Sequence, residues 1–78
     1  MNDVIYTFKG RNITMNVCIQ IRAVVKVIMN RKDVTFEEAM MMFYHSQTYK
    51  ILKDTENGLW AESAEYIADQ FFEEKEYA

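Results

Sequence analysis

The fold is decided by Thr35-Phe-Glu-Glu38, Asn57-Gly-Leu-Trp60 and Ser63-Ala-Glu-Tyr66, which follow one another in the second half of this chain. Thr35 and Glu38 have the spacing of a capping box, in which each residue satisfies a backbone or side-chain donor of the other at the start of a helix. Asn57-Gly58 is typical of a turn, and Ser63 is a typical N-cap residue. These signals predict three element boundaries to within about two residues.

Apolar residues between these boundaries recur at helical spacing and predict three helices, over 36–45, 47–53 and 64–76. The first has Phe36, Ala39, Met40 and Phe43 on one face, and Ser46 is the predicted cap of the second. The acidic end of the last helix opposes the helix dipole. We therefore expect that end either to fray or to lie opposite a basic surface such as Arg22 and Lys26.

Residues 14–30 carry two conflicting patterns. Val17, Ile19, Ile21, Ala23, Val25 and Val27 alternate as in a strand, whereas Val17, Ile21, Val24, Val25 and Ile28 share one helical stripe. Seventeen residues is long for a strand, and the polar residues Arg22, Lys26 and Asn30 are spaced four apart, so we predict a helix. Asn12 or Thr14 is its predicted cap.

The first ten residues predict a short strand or extended arm over Asp3–Phe8, punctuated by Gly10. A lone strand needs a partner for its backbone groups, and two candidates are its own copy in a second chain and the segment 58–60. The first candidate implies a homodimer. The complete prediction is one mainly α-helical domain over residues 1–78, with three to four short helices in a small bundle and an N-terminal arm.

Composition favours a partner surface. Half of the 78 residues are apolar, including eleven aromatic residues and six methionines, which is more than so small a domain easily hides. Residues 1–32 carry a net charge of +5 and residues 33–78 a net charge of −8. We expect the basic half to pack beside the acidic half, within one chain or across a dimer.

The candidate interface residues are Ile5, Tyr6 and Phe8 of the arm, Met41 and Met42 of the helix 36–45, and Trp60. A methionine run can mark an adaptable binding surface, although a stripe at helical spacing more often belongs to a core. Met41 points away from the apolar stripe and is the stronger candidate for exposure. Trp60 follows a turn and is expected to anchor either the core or an interface, with the core favoured.

Catalytic and metal-binding patterns were not found in the sequence. The two glycines are far apart, one cysteine and one histidine cannot complete a structural zinc site, and no spacing ties Cys18 to His45. We therefore predict a non-catalytic protein without a cofactor. The start of the sequence has no basic segment of a secretory signal, and charges interrupt its longest apolar run, which predicts a cytoplasmic protein that does not enter a membrane.

Nucleic-acid binding is the less favoured alternative. Residues 35–53 resemble two short helices joined at His45-Ser46, and the second helix carries Gln47, Thr48, Lys50 and Lys53, which could contact bases and phosphates. Acidic residues flank this segment on both sides, and they would repel phosphates.

The segment Ser46-Gln-Thr-Tyr-Lys-Ile-Leu-Lys-Asp54, with Gly58-Leu-Trp60 and Ser63-Ala-Glu-Tyr66, resembles short uncharacterised bacterial proteins, some of whose genes neighbour toxin-antitoxin loci. The resemblance covers about residues 33–74, and Ala64 stands where the relatives often have proline. It implies a small helical accessory protein that works through another protein, and it gives no catalytic residues. Together with the arm, it predicts a self-associating interaction module.

Overall fold

A computed structural model describes residues 5–77, with side chains up to Glu76. Its four α-helices are α1 (Thr14–Lys32), α2 (Phe36–Tyr44), α3 (Gln47–Lys53) and α4 (Ala64–Tyr77). Two short 3-10 turns, Thr55–Asn57 and Leu59–Ala61, connect α3 to α4. The predicted mainly α-helical bundle is confirmed, and the ambiguous first segment is a helix.

The local signals act as the sequence predicts. In the capping box, the Glu38 backbone N–H donates to Thr35 Oγ1 at 3.1 Å, and the Thr35 N–H donates to the Glu38 carboxylate at 3.0 Å. These bonds lower the pKa of Glu38, the backbone N–H of Thr35 contributing most. Ser46 and Ser63 accept from the backbone N–H groups of Tyr49 and Tyr66. Gly58 has a φ of 80°, which glycine adopts without steric cost.

α1 packs against both α2 and α4, and α3 packs on both α4 and α2. Its stability comes from burial, as its many β-branched residues require. The Phe43 and Phe71 rings meet edge to face at 6.1 Å in the middle of the core. The buried core residues are Val24, Val25, Ile28, Ala39, Phe43, Leu52, Ile67, Ala68 and Phe71.

The predicted partner of the N-terminal strand is wrong. The strand β1 (Thr7–Phe8) pairs antiparallel with β2 (Arg11–Asn12), which neither proposed partner includes. Lys9 and Gly10 both have positive φ, at 51° and 79°, which is the backbone of a two-residue hairpin turn. The chain therefore supplies its own partner strand. Part of the predicted strand, Asp3 and Val4, lies outside the described residues.

The two residues predicted to cap α1 have different hydrogen-bond partners. Asn12 Oδ1 accepts from the Thr14 backbone N–H at 2.9 Å, whereas the Thr14 hydroxyl accepts from the Tyr6 N–H at 2.8 Å. Ile13 occupies the cap position itself and is buried. The helix start is thus tied to the arm.

The acidic end of α4 was expected either to fray or to lie opposite a basic surface. Both expectations are wrong for Glu74. Its carboxylate accepts hydrogen bonds from the backbone N–H groups of Gln47 and Thr48, at 2.8 and 2.9 Å, and from the Thr48 hydroxyl at 2.7 Å. A negative charge at the start of a helix is favourable, because it satisfies free N–H groups and interacts with the dipole. The end of α4 therefore caps α3 rather than facing Arg22 and Lys26.

Candidate functional site

An apolar groove with a cavity volume of about 330 Å³ lies between α1 and α2. Val25 in its floor is buried, and Ile21, Phe36 and Met40 are half-buried. We call this feature the α1–α2 groove. The residues that line it are Cys18, Ile21, Arg22, Val25, Phe36, Met40 and Tyr44.

Exposed side chains border the groove on both helices. On α1, residues at spacings of four, three and four share one ridge, which we call the α1 rim. On α2, residues at spacings of four and three form the α2 rim. The α1 rim consists of Met15, Ile19, Arg22 and Lys26, and the α2 rim consists of Glu37, Met41 and Tyr44; all of these residues are exposed.

Large apolar side chains on these rims are unusually open to solvent. Met15 is 71% exposed, Ile19 62% and Met41 58%. None of the three lines the groove itself, and Ile19 also lines a second pocket beside Trp60, but helical spacing puts Met15 and Ile19 on one ridge with Arg22, which does line the groove. Methionine adapts its shape to different neighbours, which suits a contact surface.

The two rims carry charges of opposite sign. Arg22 and Lys26 make the α1 rim basic, and Glu37 makes the α2 rim acidic. Among residues 5–76, the ion pair within 4 Å joins Arg31 to Asp69 at 2.7 Å, on the other side of α1. The rim charges are thus available to a molecule that covers the groove.

Tyrosines close one end of the groove. The rings of Tyr44 and Tyr49 are 4.8 Å apart. Burial, followed by the nearby Cys18, raises the pKa of Tyr6, and burial followed by Tyr6 raises the pKa of Tyr49. The raised pKa values keep the Tyr6 and Tyr49 phenols neutral at physiological pH.

The predicted interface residues are not brought together on one surface. Ile5 and Met41 are exposed, and Tyr6, Phe8 and Met42 are half-buried. Met42 packs against the core and is not among the residues that line the α1–α2 groove. Of these predicted positions, Met41 is the one on a groove rim, and its predicted exposure agrees with the structure.

Trp60 joins the hairpin to the bundle. Its ring meets Phe8 edge to face at 5.6 Å, and its indole N–H donates to the Thr55 carbonyl at 3.0 Å. The Thr55 hydroxyl donates in turn to the Thr7 carbonyl at 2.6 Å. Gln20 of α1 donates to the carbonyls of Trp60 and Glu62. These contacts give Trp60 a structural role within the chain.

The predicted nucleic-acid contacts are only partly accessible. Thr48 is buried and its hydroxyl is bonded to Glu74, which also accepts from the Gln47 backbone. Lys50 and Lys53 are both exposed, and the Lys53 ammonium lies 5.0 Å from the centre of the Tyr49 ring. A carboxylate therefore occupies the end of α3 that would approach a phosphate or a base.

Burial by itself would raise the pKa of Glu74. The hydrogen bonds from Thr48 and Gln47, helped by the charge of Lys75, outweigh that effect and lower the pKa below its ordinary value. Glu74 therefore stays ionised under physiological conditions, where it supports α3.

Reactive groups lie apart in the described part of the chain. Cys18 is a free, exposed thiol, and His45 Nδ1 lies 2.7 Å from the Met41 carbonyl oxygen. Within residues 5–77, no three His, Cys, Asp or Glu side chains gather closely enough to hold a metal ion. Over the same residues, none of the helices has the length and apolar character needed to cross a membrane.

Sequence reasoning missed most of the groove. It assigned Phe36 and Met40 to the core stripe, and it did not single out Met15 or Ile19. The available signal was their spacing of four on a helix whose inner stripe was already complete, which leaves both side chains facing outward.

The fold and the groove define a small α-helical domain with an N-terminal hairpin and an apolar, charge-bordered face. Comparisons with protein-family models, with curated proteins and with solved structures found no match to this chain. The resemblance to short bacterial proteins stays a prediction, and function is argued from the surface alone.

Proposed function

We propose that this protein is a non-catalytic protein-interaction module that self-associates, with a second copy of the chain covering the α1–α2 face. The observation that carries the proposal is the apolar groove between α1 and α2, bordered by rims on which Met15, Ile19 and Met41 are exposed. Covering these side chains removes apolar surface from water, which favours association.

Charge supports a second copy as the occupant. The face has a basic rim on α1 and an acidic rim on α2, so it carries both members of a complementary pair. A surface of this kind can match itself when two copies meet through a two-fold axis. The N-terminal arm no longer supplies the reason for a dimer, because β1 already pairs with β2.

Solution mass tests this function directly. Light scattering over a concentration series, at low and high salt, should give a dimer whose formation changes little with salt, because most of the contact is apolar. Met41→Glu places a charge on the face and should shift the protein to the monomer. Ile51→Glu is the matched control, since Ile51 is 48% exposed but lies on α3, and it should leave the mass unchanged.

A monomer at every concentration would contradict the proposal. Loss of the dimer in the Ile51→Glu control as well would move the contact away from the α1–α2 face. Circular dichroism of each variant separates loss of association from loss of the helical fold.

The nucleic-acid alternative gains no support from α3, because Glu74 occupies the start of that helix. Phosphate contacts would make affinity fall steeply with salt, in contrast to the apolar contact proposed here. Salt-dependent binding of duplex DNA by the chain, weakened by Lys50→Ala and Lys53→Ala, would favour the alternative.

We also propose that the protein works in the cytoplasm. Its single cysteine is exposed and unpaired, which fits a compartment that keeps thiols reduced. Cell fractionation tests this location.

A further inference from the structure

We propose that α1 of each copy packs on α2 of the other, about a two-fold axis that runs along the α1–α2 groove, so that Lys26 lies against Glu37 of the second copy. This arrangement rests on the proposed function, since it specifies how the same face associates. It assigns a partner residue to each charged rim.

The connection between α1 and α2 determines which residues of the two helices lie level with each other along the helix axes. Asp33 adopts a left-handed conformation with a φ of 55°, and the Val34 N–H donates to the Met29 carbonyl at 3.2 Å. The chain therefore folds back close to Met29, and α2 runs antiparallel beside the last turns of α1.

The lining of the groove shows which residues face each other across it. Val25 of α1 and Phe36 of α2 both line it. Because the helices are antiparallel and the chain folds back near Met29, these two residues lie toward the same end. Lys26 follows Val25 and Glu37 follows Phe36, so both charges lie at a similar height on opposite rims.

A two-fold rotation about an axis along the groove leaves the position of each residue along that axis unchanged. It moves the α1 rim of one copy onto the α2 rim of the other and makes each contact twice. Lys26 then meets Glu37 of the second copy, and Glu37 meets Lys26 of the second copy.

The competing two-fold axis runs across the helices and is electrostatically unfavourable. It would pack α1 on α1 and bring Arg22 and Lys26 of both copies together. Among the described side chains, Asp69 pairs with Arg31 of α1 at 2.7 Å, and this pair lies on the far side of that helix. Like charges in a covered surface cost free energy, so the first axis is favoured.

Charge reversal tests the pairing. Lys26→Glu alone sets two carboxylates against each other in both contacts, and Glu37→Lys alone sets two ammonium groups against each other. Each single variant should therefore dimerise about tenfold more weakly, as two reversed contacts per dimer predict. The double variant should regain the dimer, because both contacts are again attractive. An equimolar mixture of the two single variants should form a heterodimer, in which one contact has the native pair of charges and the other has the exchanged pair.

Glu65→Lys is the matched control. Glu65 and Glu37 are both acidic residues in the first turn of a helix, so both substitutions remove the same favourable interaction with a helix dipole. Only Glu37 lies on the α2 rim, and the control should dimerise as the unmodified chain does. If Glu37→Lys does not fold alone, Glu37→Gln combined with Lys26→Glu removes the repulsion between carboxylates and should associate more strongly than Lys26→Glu alone.

The outcomes separate the arrangement from the function on which it rests. Stronger association of Lys26→Glu would overturn this arrangement and favour α1 against α1. A weakened double variant that regains nothing would also overturn it while leaving self-association intact. An unmodified chain that is monomeric throughout would instead overturn the proposed function.

Discussion

Ser46, at the junction of α2 and α3, makes side-chain hydrogen bonds to the backbone of both helices. Ser46 is fully buried, its Oγ accepts from the Tyr49 N–H at 3.0 Å, and it donates to the Phe43 carbonyl at 2.6 Å. It thus satisfies one backbone group of each helix in a place that water does not reach. Its neighbour Phe43 is in the centre of the core.

Ser46→Ala is therefore expected to destabilise the fold by about 1–2 kcal/mol, because it removes a helix cap and leaves the Tyr49 N–H without its acceptor, although the Phe43 carbonyl keeps the bond from the Ser46 N–H at 3.0 Å. Ser63→Ala is the matched comparison. Ser63 caps α4 through the Tyr66 N–H, but it is exposed, so water can replace the lost bond. Urea unfolding should show a larger loss of stability for Ser46→Ala than for Ser63→Ala. An equal loss of stability at the two positions would contradict this prediction.

Helices and turns are joined by contacts between distant parts of the chain. The hairpin is attached through Thr7, Phe8, Thr55 and Trp60, and α3 is attached to α4 through Glu74. The Glu74 attachment pairs a carboxylate near the end of one helix with free N–H groups at the start of another. The short elements are held in place by these contacts, since a seven-residue helix such as α3 is marginal alone.

Acid should weaken the attachment of α3. Because the pKa of Glu74 is lower in the folded chain than its ordinary value of 4.5, the folded state binds this proton less readily than the unfolded state. Its contribution to stability is complete above that ordinary value and is lost as the pH falls through the folded pKa.

Thermal unfolding between about pH 7 and pH 3 tests this effect, because that range spans the ordinary pKa of a carboxyl group. The difference in melting temperature between the unmodified chain and Glu74→Gln should be constant near neutrality and should shrink in acid. Glu73→Gln, at the exposed neighbouring position, is the control. A difference that does not depend on pH would contradict the role of the Glu74 charge.

At the scale of the whole molecule, charge and apolar surface are both distributed unevenly. The expectation that the basic half pairs with the acidic half is met within the described residues by one close ion pair, between Arg31 and Asp69. Arg22 and Lys26 are both exposed beside the groove. Part of the charge asymmetry predicted from the sequence is therefore presented to the surroundings.

Cys18 provides a native probe of whether this face is covered. It is the single cysteine of the chain, it is exposed, and it lines the α1–α2 groove. If a second copy covers the groove, alkylation of Cys18 should slow by severalfold as the protein concentration passes through the dimer dissociation constant. Met41→Glu should keep the fast rate at all concentrations. A rate that never changes with concentration would contradict coverage of the groove.

Much of the fold could be predicted because its signals are local. The capping box at Thr35 and Glu38, the cap at Ser46 and the turn at Gly58 each involve residues within four positions of one another. The hairpin turn at Lys9-Gly10 was missed, because lysine rarely adopts the positive φ that it has there. The groove was missed because its floor resembles the edge of a core stripe until both helices are in place.

The sequence by itself determined the helices, their caps and the apolar face of each, because helical periodicity and end capping depend on neighbours in the chain. Tertiary structure alone decided which distant groups meet: Glu74 with the start of α3, Trp60 with the hairpin, and Phe36 and Met40 with α1. Such contacts join residues 11 to 52 positions apart, and their geometry follows from the packing of whole helices rather than from any local pattern.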